Sequence, residues 1–324
     1  SGAISGVTTL TLASVGGTAT LSADVDVTTL SVDNMVANVA FTGNGSSVTN
    51  SFTPANDGTF VFGASGGTQT YNGGLTTTSV GSTVTLNGTI AASDDAITLG
   101  AVTLGSNTTV DTNAASSNTA DLTIAAVTGG SNTLTLSTEN NVANADITAS
   151  GAISGVTTLT LADVGGTATL SADVDVTTLT VGSTVANVAF TGNGSSVTNA
   201  VSFANDGTLQ LGDATGDTLT FNGGLTTTSV GGTVTLNGEI ESSNDAIVLG
   251  AVTLGSATTI DTDASDTTGD ITIGAVTGGS NSLTLSMGNN VANTDITASG
   301  AISGVTTLTL QNVGGTATLS GDVD

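Results

Sequence analysis

Apart from a single tyrosine, every titratable side chain in this sequence is a carboxylate: Asp and Glu total 26, and Lys, Arg, His and Cys are absent. Such a set can bind a hard cation, or a pair can serve glycoside hydrolysis. The candidate metal pair is Asp24-Val25-Asp26, which recurs as Asp173-Val174-Asp175 and as Asp322-Val323-Asp324. Residues i and i+2 of a strand face the same way, so each pair can share a Ca2+ ion. The turns Asn56-Asp57-Gly58 and Asn205-Asp206-Gly207 offer further oxygens. Ca2+ takes about six to eight oxygens, and these groups supply part of a shell without EF-hand spacing. The competing reading is of solvated turn and edge carboxylates that keep a β protein soluble and unaggregated.

Catalysis finds little support. No His moves protons near neutral pH, no Cys or Lys acts as nucleophile, and no cation steadies an oxyanion. Ser is abundant but has no base to activate it. A glycosidase pair could be sought at Asp94-Asp95, but the matching position later in the chain reads Asn244-Asp245. A catalytic pair is not expected to lose a member between copies, so the chain reads as a non-enzyme. A net charge of −26 with no basic residue repels nucleic acid and anionic membrane surfaces. No stretch reaches the length of a transmembrane helix, and aromatic residues at 2% are too few for the girdles of a membrane barrel.

The elements that carry these carboxylates are repeats. Gly2-Ala3-Ile4-Ser5-Gly6-Val7-Thr8-Thr9-Leu10-Thr11-Leu12 returns from Gly151 and again from Gly300, an offset of 149 each time. The organisation is therefore unit one at 1–149, unit two at 150–298 and the start of a third at 299–324, in one continuous solenoid. The second copy gains one residue between Gly212 and Asn222 and loses one before Asp270, both in turn-rich stretches. Ser1 and Ser299 share a phase, and the third copy breaks off mid-phrase at Asp324. Neither end reads as a cap, which leads to the expectation of continuation beyond both.

The recurring word is apolar-Thr-apolar, as in Leu10-Thr11-Leu12, Val84-Thr85-Leu86 and Leu134-Thr135-Leu136. Alternation with Thr and β-branched residues predicts short strands, Leu and Val inward and Thr outward. Gly-Gly, Gly-Ser and Asn-Gly punctuate them as turns. A shorter period lies inside the long one. The segment 96–112 aligns with 121–137 at an offset of 25, and the words Leu159-Thr160-Leu161 and Leu179-Thr180-Val181 are 20 apart. Coils of about 20–25 residues, six or seven per unit, predict an all-β parallel β-helix, a β-solenoid, with in-register Asn and Thr ladders. The competing all-β fold is a string of β-sandwiches, whose longer strands and more aromatic cores fit less well.

The strings TTLTLADVGGTATLSADVDVTTLTV, NDGTLQLG and NGGLTTTSVGGTVTLNG resemble the β-strand repeats of large bacterial surface proteins, the filamentous-haemagglutinin-like adhesins and autotransporter passenger domains. The resemblance runs the length of the chain and implies secretion, a cell-surface location and work in adhesion, aggregation or coating. The expected function is a non-catalytic structural protein forming an extracellular filament, sheath or surface layer from copies of itself. The alternative is the stalk of a secreted adhesin. Cell-surface glycans are a further candidate partner, and no cofactor is required beyond the Ca2+ considered above. Phe41, Phe52, Phe60, Phe62 and Tyr71, with Phe190, Phe203 and Phe221, read either as a glycan-stacking patch or as a widened coil or packed loop. An ice-binding Thr lattice, suggested by Thr18-Ala19-Thr20 and Thr83-Val84-Thr85, would need a constant coil length.

Overall fold

The computed structural model describes residues 2–139 and 142–324. Among them there is no helix; strands pair in parallel with strands about one coil later in the chain. The chain divides into two compact units, Ser1–Ala168 and Thr169–Asp324, so the boundary falls about a coil later than the repeat boundary at 149.

In the first unit one inward-facing row runs Ala19, Val39, Phe60, Val84, Val102, Val127, Ile153. Successive members are 20, 21, 24, 18, 25 and 26 residues apart, so coil length varies while register holds. The second unit has the row Val188, Leu209, Val234, Val252, Val276, Ile302. Its spacings of 21, 25, 18, 24 and 26 place the inserted residue in the turn after Leu211 and the lost one before Asp270. Turns absorb the indels because a one-residue slip within a strand would turn every apolar side chain outward.

Inside and outside alternate as expected. Val84–Ala92 buries Val84, Leu86, Gly88, Ile90 and Ala92, with the intervening residues half-exposed. A fully buried Val, Leu or Ile contributes about 1.5–3 kcal/mol. Outward rows form the expected ladders, such as Thr76, Thr98, Thr123 and Thr148 on successive coils. The 96–112 to 121–137 alignment needs one correction. Ile97 meets Leu122 at an offset of 25, but Val110 meets Leu136 at 26. An unbroken offset of 25 would set Val110 against outward Thr135; one extra residue in the turn between Thr128 and Leu134, facing Thr103 to Thr108, restores the inward phase.

The aromatic residues lie in the core, so they offer no stacking surface: Phe41, Phe52, Phe60, Phe62, Tyr71, Phe190, Phe203 and Phe221 are each at most 1% exposed. Phe52 stacks on Tyr71 with centroids 5.6 Å apart. Tyr71 Oη donates to Gln69 Oε1 at 2.9 Å, and Gln69 Nε2 donates to Phe41 O at 2.8 Å. The second copy has Leu219 and Phe221 at these places, which removes both polar partners together.

Candidate functional site: carboxylate and amide caps between coils

Each coil must turn corners, and at a corner the backbone N–H groups point along the stack with no strand to receive them. Many of these corners are exposed and some are half-buried, and a fixed acceptor there takes the place of the strand that the donor lacks. Here short polar side chains of the preceding coil supply that acceptor. Asp24 stands just before the strand Val25–Val32, and its Oδ1 accepts the N–H groups of Asn44 at 2.8 Å and Gly45 at 2.9 Å. Asp173 does the same for Gly194 at 2.9 Å. Asn38 Oδ1 accepts Thr59 N–H at 2.9 Å, and Asn187 Oδ1 accepts Thr208 N–H at 2.9 Å.

Two such caps run in series. In the first unit Asp121 Oδ1 accepts Asp146 N–H at 2.9 Å, and Asp146 Oδ1 accepts Thr167 N–H at 2.7 Å. In the second, Asp270 accepts from Asp295 at 2.8 Å and Asp295 from Thr316 at 2.6 Å. Asp94 is the most heavily used. Its Oδ1 accepts N–H groups from Ala115, Ser116 and Ser117 at 2.8, 3.0 and 2.7 Å, and its Oδ2 accepts Ser116 Oγ at 2.7 Å. The Ser116 N–H and hydroxyl, followed by the Ser117 N–H, hold its carboxyl well below the usual range. Asn244 fills this role in the second unit, accepting from Ser265 and Asp266 at 2.7 Å each. The Asp-to-Asn exchange thus keeps the one chemical property the corner uses, a carbonyl-type oxygen. Asp94 and Asn244 also both hold positive φ, 69° and 76°.

The sequence-derived metal pairs separate along these lines. Asp24 and Asp173 are committed to backbone donors, whereas Asp26 and Asp175 face outward beside Ser47 and Ser196 of the next coil. Asp322 and Asp324 are exposed; their backbone atoms bond to Ile302 and Gly304. Asn56 and Asn205 are fully buried, and their Nδ2 groups donate to backbone carbonyls, Asn56 to Thr59 O and Asn205 to Thr208 O. Those two amides therefore offer no ligand to a cation in solvent. Among the described residues no three carboxylates gather as a metal group would. Ser46 and Ser195 serve in the same way from inside the coil: both are buried, and their hydroxyls accept the N–H groups of Val25 and Val174 at 3.1 and 3.0 Å.

A carboxylate face in the second unit went unseen in the sequence. Glu241 lies beside Asp261 on the next coil, Glu239 is two residues away on the same face, and Asp263 follows. Desolvation, then the charges of Glu241, Asp261 and Asp263, pushes Glu239 up. Glu241 is pushed up chiefly by desolvation, against a hydrogen bond from Thr220 at 3.2 Å. The first copy has Thr89, Ala91, Asp111 and Asn113 at these places, so a position-by-position comparison of the two copies would have found the face.

Comparison with protein-family models, with curated proteins and with solved structures finds no match. The fold and its caps define the class: an all-β, parallel β-solenoid repeat protein.

Proposed function

We propose that the chain is a non-catalytic structural protein whose solenoid coils associate into an extracellular filament, sheath or surface layer. One observation carries this reading. Where one repeat passes to the next, the step is an ordinary coil step, made twice with the same register. Leu134, Leu136 and Ser137 lie on Leu159, Leu161 and Ala162, and Leu283, Leu285 and Ser286 lie on Leu308, Leu310 and Gln311. A repeat that receives its like through the same pairing each time can be extended indefinitely. The commitment of corner carboxylates to backbone N–H groups supports the same reading, because it leaves them to structure rather than to chemistry.

The same junction favours a second reading, the stalk of a large secreted adhesin, since a covalent array lengthens without assembly. Electron microscopy of the purified chain separates the two. Long fibres one solenoid wide support the filament; isolated short particles at every concentration contradict it and leave the stalk. No cofactor is assigned; Ca2+, if bound, would act by screening repulsion between neighbouring chains.

A further inference from the structure

Six Asn-Gly steps occur in the chain: Asn44-Gly45, Asn72-Gly73 and Asn87-Gly88, with Asn193-Gly194, Asn222-Gly223 and Asn237-Gly238 at the matching places in the second copy. Such a step carries a reaction within itself. The glycine nitrogen, on losing its proton, attacks Asn Cγ; the N–Cγ bond forms, the Cγ–Nδ2 bond breaks, and ammonia leaves with a proton. Water then opens the succinimide ring to aspartate or isoaspartate. Glycine favours the closure because it has no Cβ to obstruct it. Isoaspartate lengthens the main chain by one carbon, which a stack held in register tolerates poorly.

Four of the steps are sheltered by depth: Asn72, Asn87 and Asn222 are half-buried and Asn237 is buried. Asn72 Nδ2 donates to Ser47 Oγ at 3.1 Å and Asn222 Nδ2 to Ser196 Oγ at 3.0 Å, which holds the group to be attacked. The N–H groups of Gly88 and Gly238 donate to Ser106 Oγ and Ser256 Oγ at 3.2 and 3.3 Å, which holds the attacking group.

Asn44 and Asn193 are exposed together with their glycines. Among the described residues, these are the two steps whose glycine N–H is taken by a carboxylate, Gly45 by Asp24 Oδ1 and Gly194 by Asp173 Oδ1, each at 2.9 Å. The other half of the same peptide unit is held by the following coil. Thr68 N–H donates to Asn44 O at 2.9 Å, and Thr218 N–H to Asn193 O at 2.8 Å. Ring closure requires this peptide plane to rotate and its N–H to ionise. Rotation breaks bonds to both neighbouring coils, and ionisation would set an anion beside a carboxylate.

We propose that Asp24 and Asp173 guard Asn44 and Asn193 against deamidation, by fixing the attacking N–H and by opposing its loss of a proton. The corner aspartate then preserves the covalent chain as well as closing the turn. This role is the same whether the solenoid serves as a filament or as a stalk.

The test holds the full chain, its Asp173→Ala variant and its Asp173→Asn variant at neutral pH below their melting temperatures. Trypsin finds no site in this chain, but chymotrypsin cuts after Phe41 and Phe190 and releases both steps for measurement of aspartate and isoaspartate. Asn44, with Asp24 intact, is the internal reference. Deamidation at Asn193 should rise at least about tenfold in Asp173→Ala, in line with the loss of a hydrogen bond to a charged group, while Asn44 stays unchanged. Asp173→Asn keeps an acceptor oxygen and should retain most of the protection. An unchanged rate at Asn193 in Asp173→Ala overturns the role. An equal rise at Asn44 overturns it too, by assigning the loss to general unfolding, as does an Asp173→Asn chain that deamidates as fast as Asp173→Ala.

Discussion

Asp94 Oδ1 accepts the backbone N–H of Ser117 at 2.7 Å, so one carboxylate closes a turn formed one coil later in the chain. The role asks for an acceptor and not for a charge, as Asn244 shows. Asp94→Asn should therefore leave the melting temperature near that of the parent, while Asp94→Leu should lower it and speed amide exchange at residues 115–117. Equal effects of the two substitutions would remove the cap from the account.

The same bonds give Asp94 a defined pH signature. Its folded pKa is depressed, so its contribution is present above the unfolded value of about 3.9 and is lost as pH falls below that toward the folded one. In Asp94→Asn this acid-side loss should shrink. Melting curves taken from pH 5 down to pH 2 measure it.

The carboxylate face of the second unit should behave in the opposite sense. Glu239 and Glu241 have raised folded pKa values, so their contribution is present below the unfolded carboxyl range and is lost as pH rises through the folded values. Like charges side by side on neighbouring strands are destabilising. Glu239→Gln combined with Glu241→Gln should thus raise the melting temperature at pH 7 and do little at pH 4. Thermal scans at the two values decide it; a rise of equal size at both would contradict the electrostatic cause.

Gln69 and Tyr71 form a buried pair that the second copy replaces with Leu219 and Phe221. Gln69→Leu alone strands the Tyr71 hydroxyl, at a cost of about 1–3 kcal/mol. Adding Tyr71→Phe should recover most of that loss, because Phe41 O keeps the N–H of Gly63 at 2.9 Å. A double-mutant cycle by urea denaturation reads the coupling directly; additive losses would show that the pair is not a unit.

With the corner carboxylates committed to N–H groups and no cluster of three to hold a metal among the described residues, Ca2+ should add little to folding. Chelator should shift the melting temperature by less than about 2 °C. A larger drop would identify a bound ion.

Much of the fold was legible because its signal is local. Leu10-Thr11-Leu12 states which residues face in, and Leu30 and Val32 on the next coil answer Leu10 and Leu12 in register. The caps were not legible, because an aspartate reads as a turn residue until coil closure shows whose N–H it faces. Asp24 and Asp26 lie two residues apart and looked like one pair; the structure gives the first to a turn and the second to solvent. The 18-residue step from Val84 to Val102 was missed for a related reason. Its bulge before Thr108 breaks the period on which sequence comparison depends.

The central claim, that one repeat stacks on the next through the same paired residues at each junction, is tested most directly by engineered disulfides in this cysteine-free chain. Thr135 and Thr160 are lateral neighbours across the first junction, and Thr109 lies one coil further away beside Thr135. Adjacent strands are about 4.8 Å apart, within disulfide reach, and two coils at about 9.6 Å are not. Oxidation should link Thr135→Cys to Thr160→Cys rapidly and without loss of stability, and should leave the Thr109→Cys, Thr160→Cys pair as free thiols. Linking of the second pair and not the first would contradict the register and the account built on it.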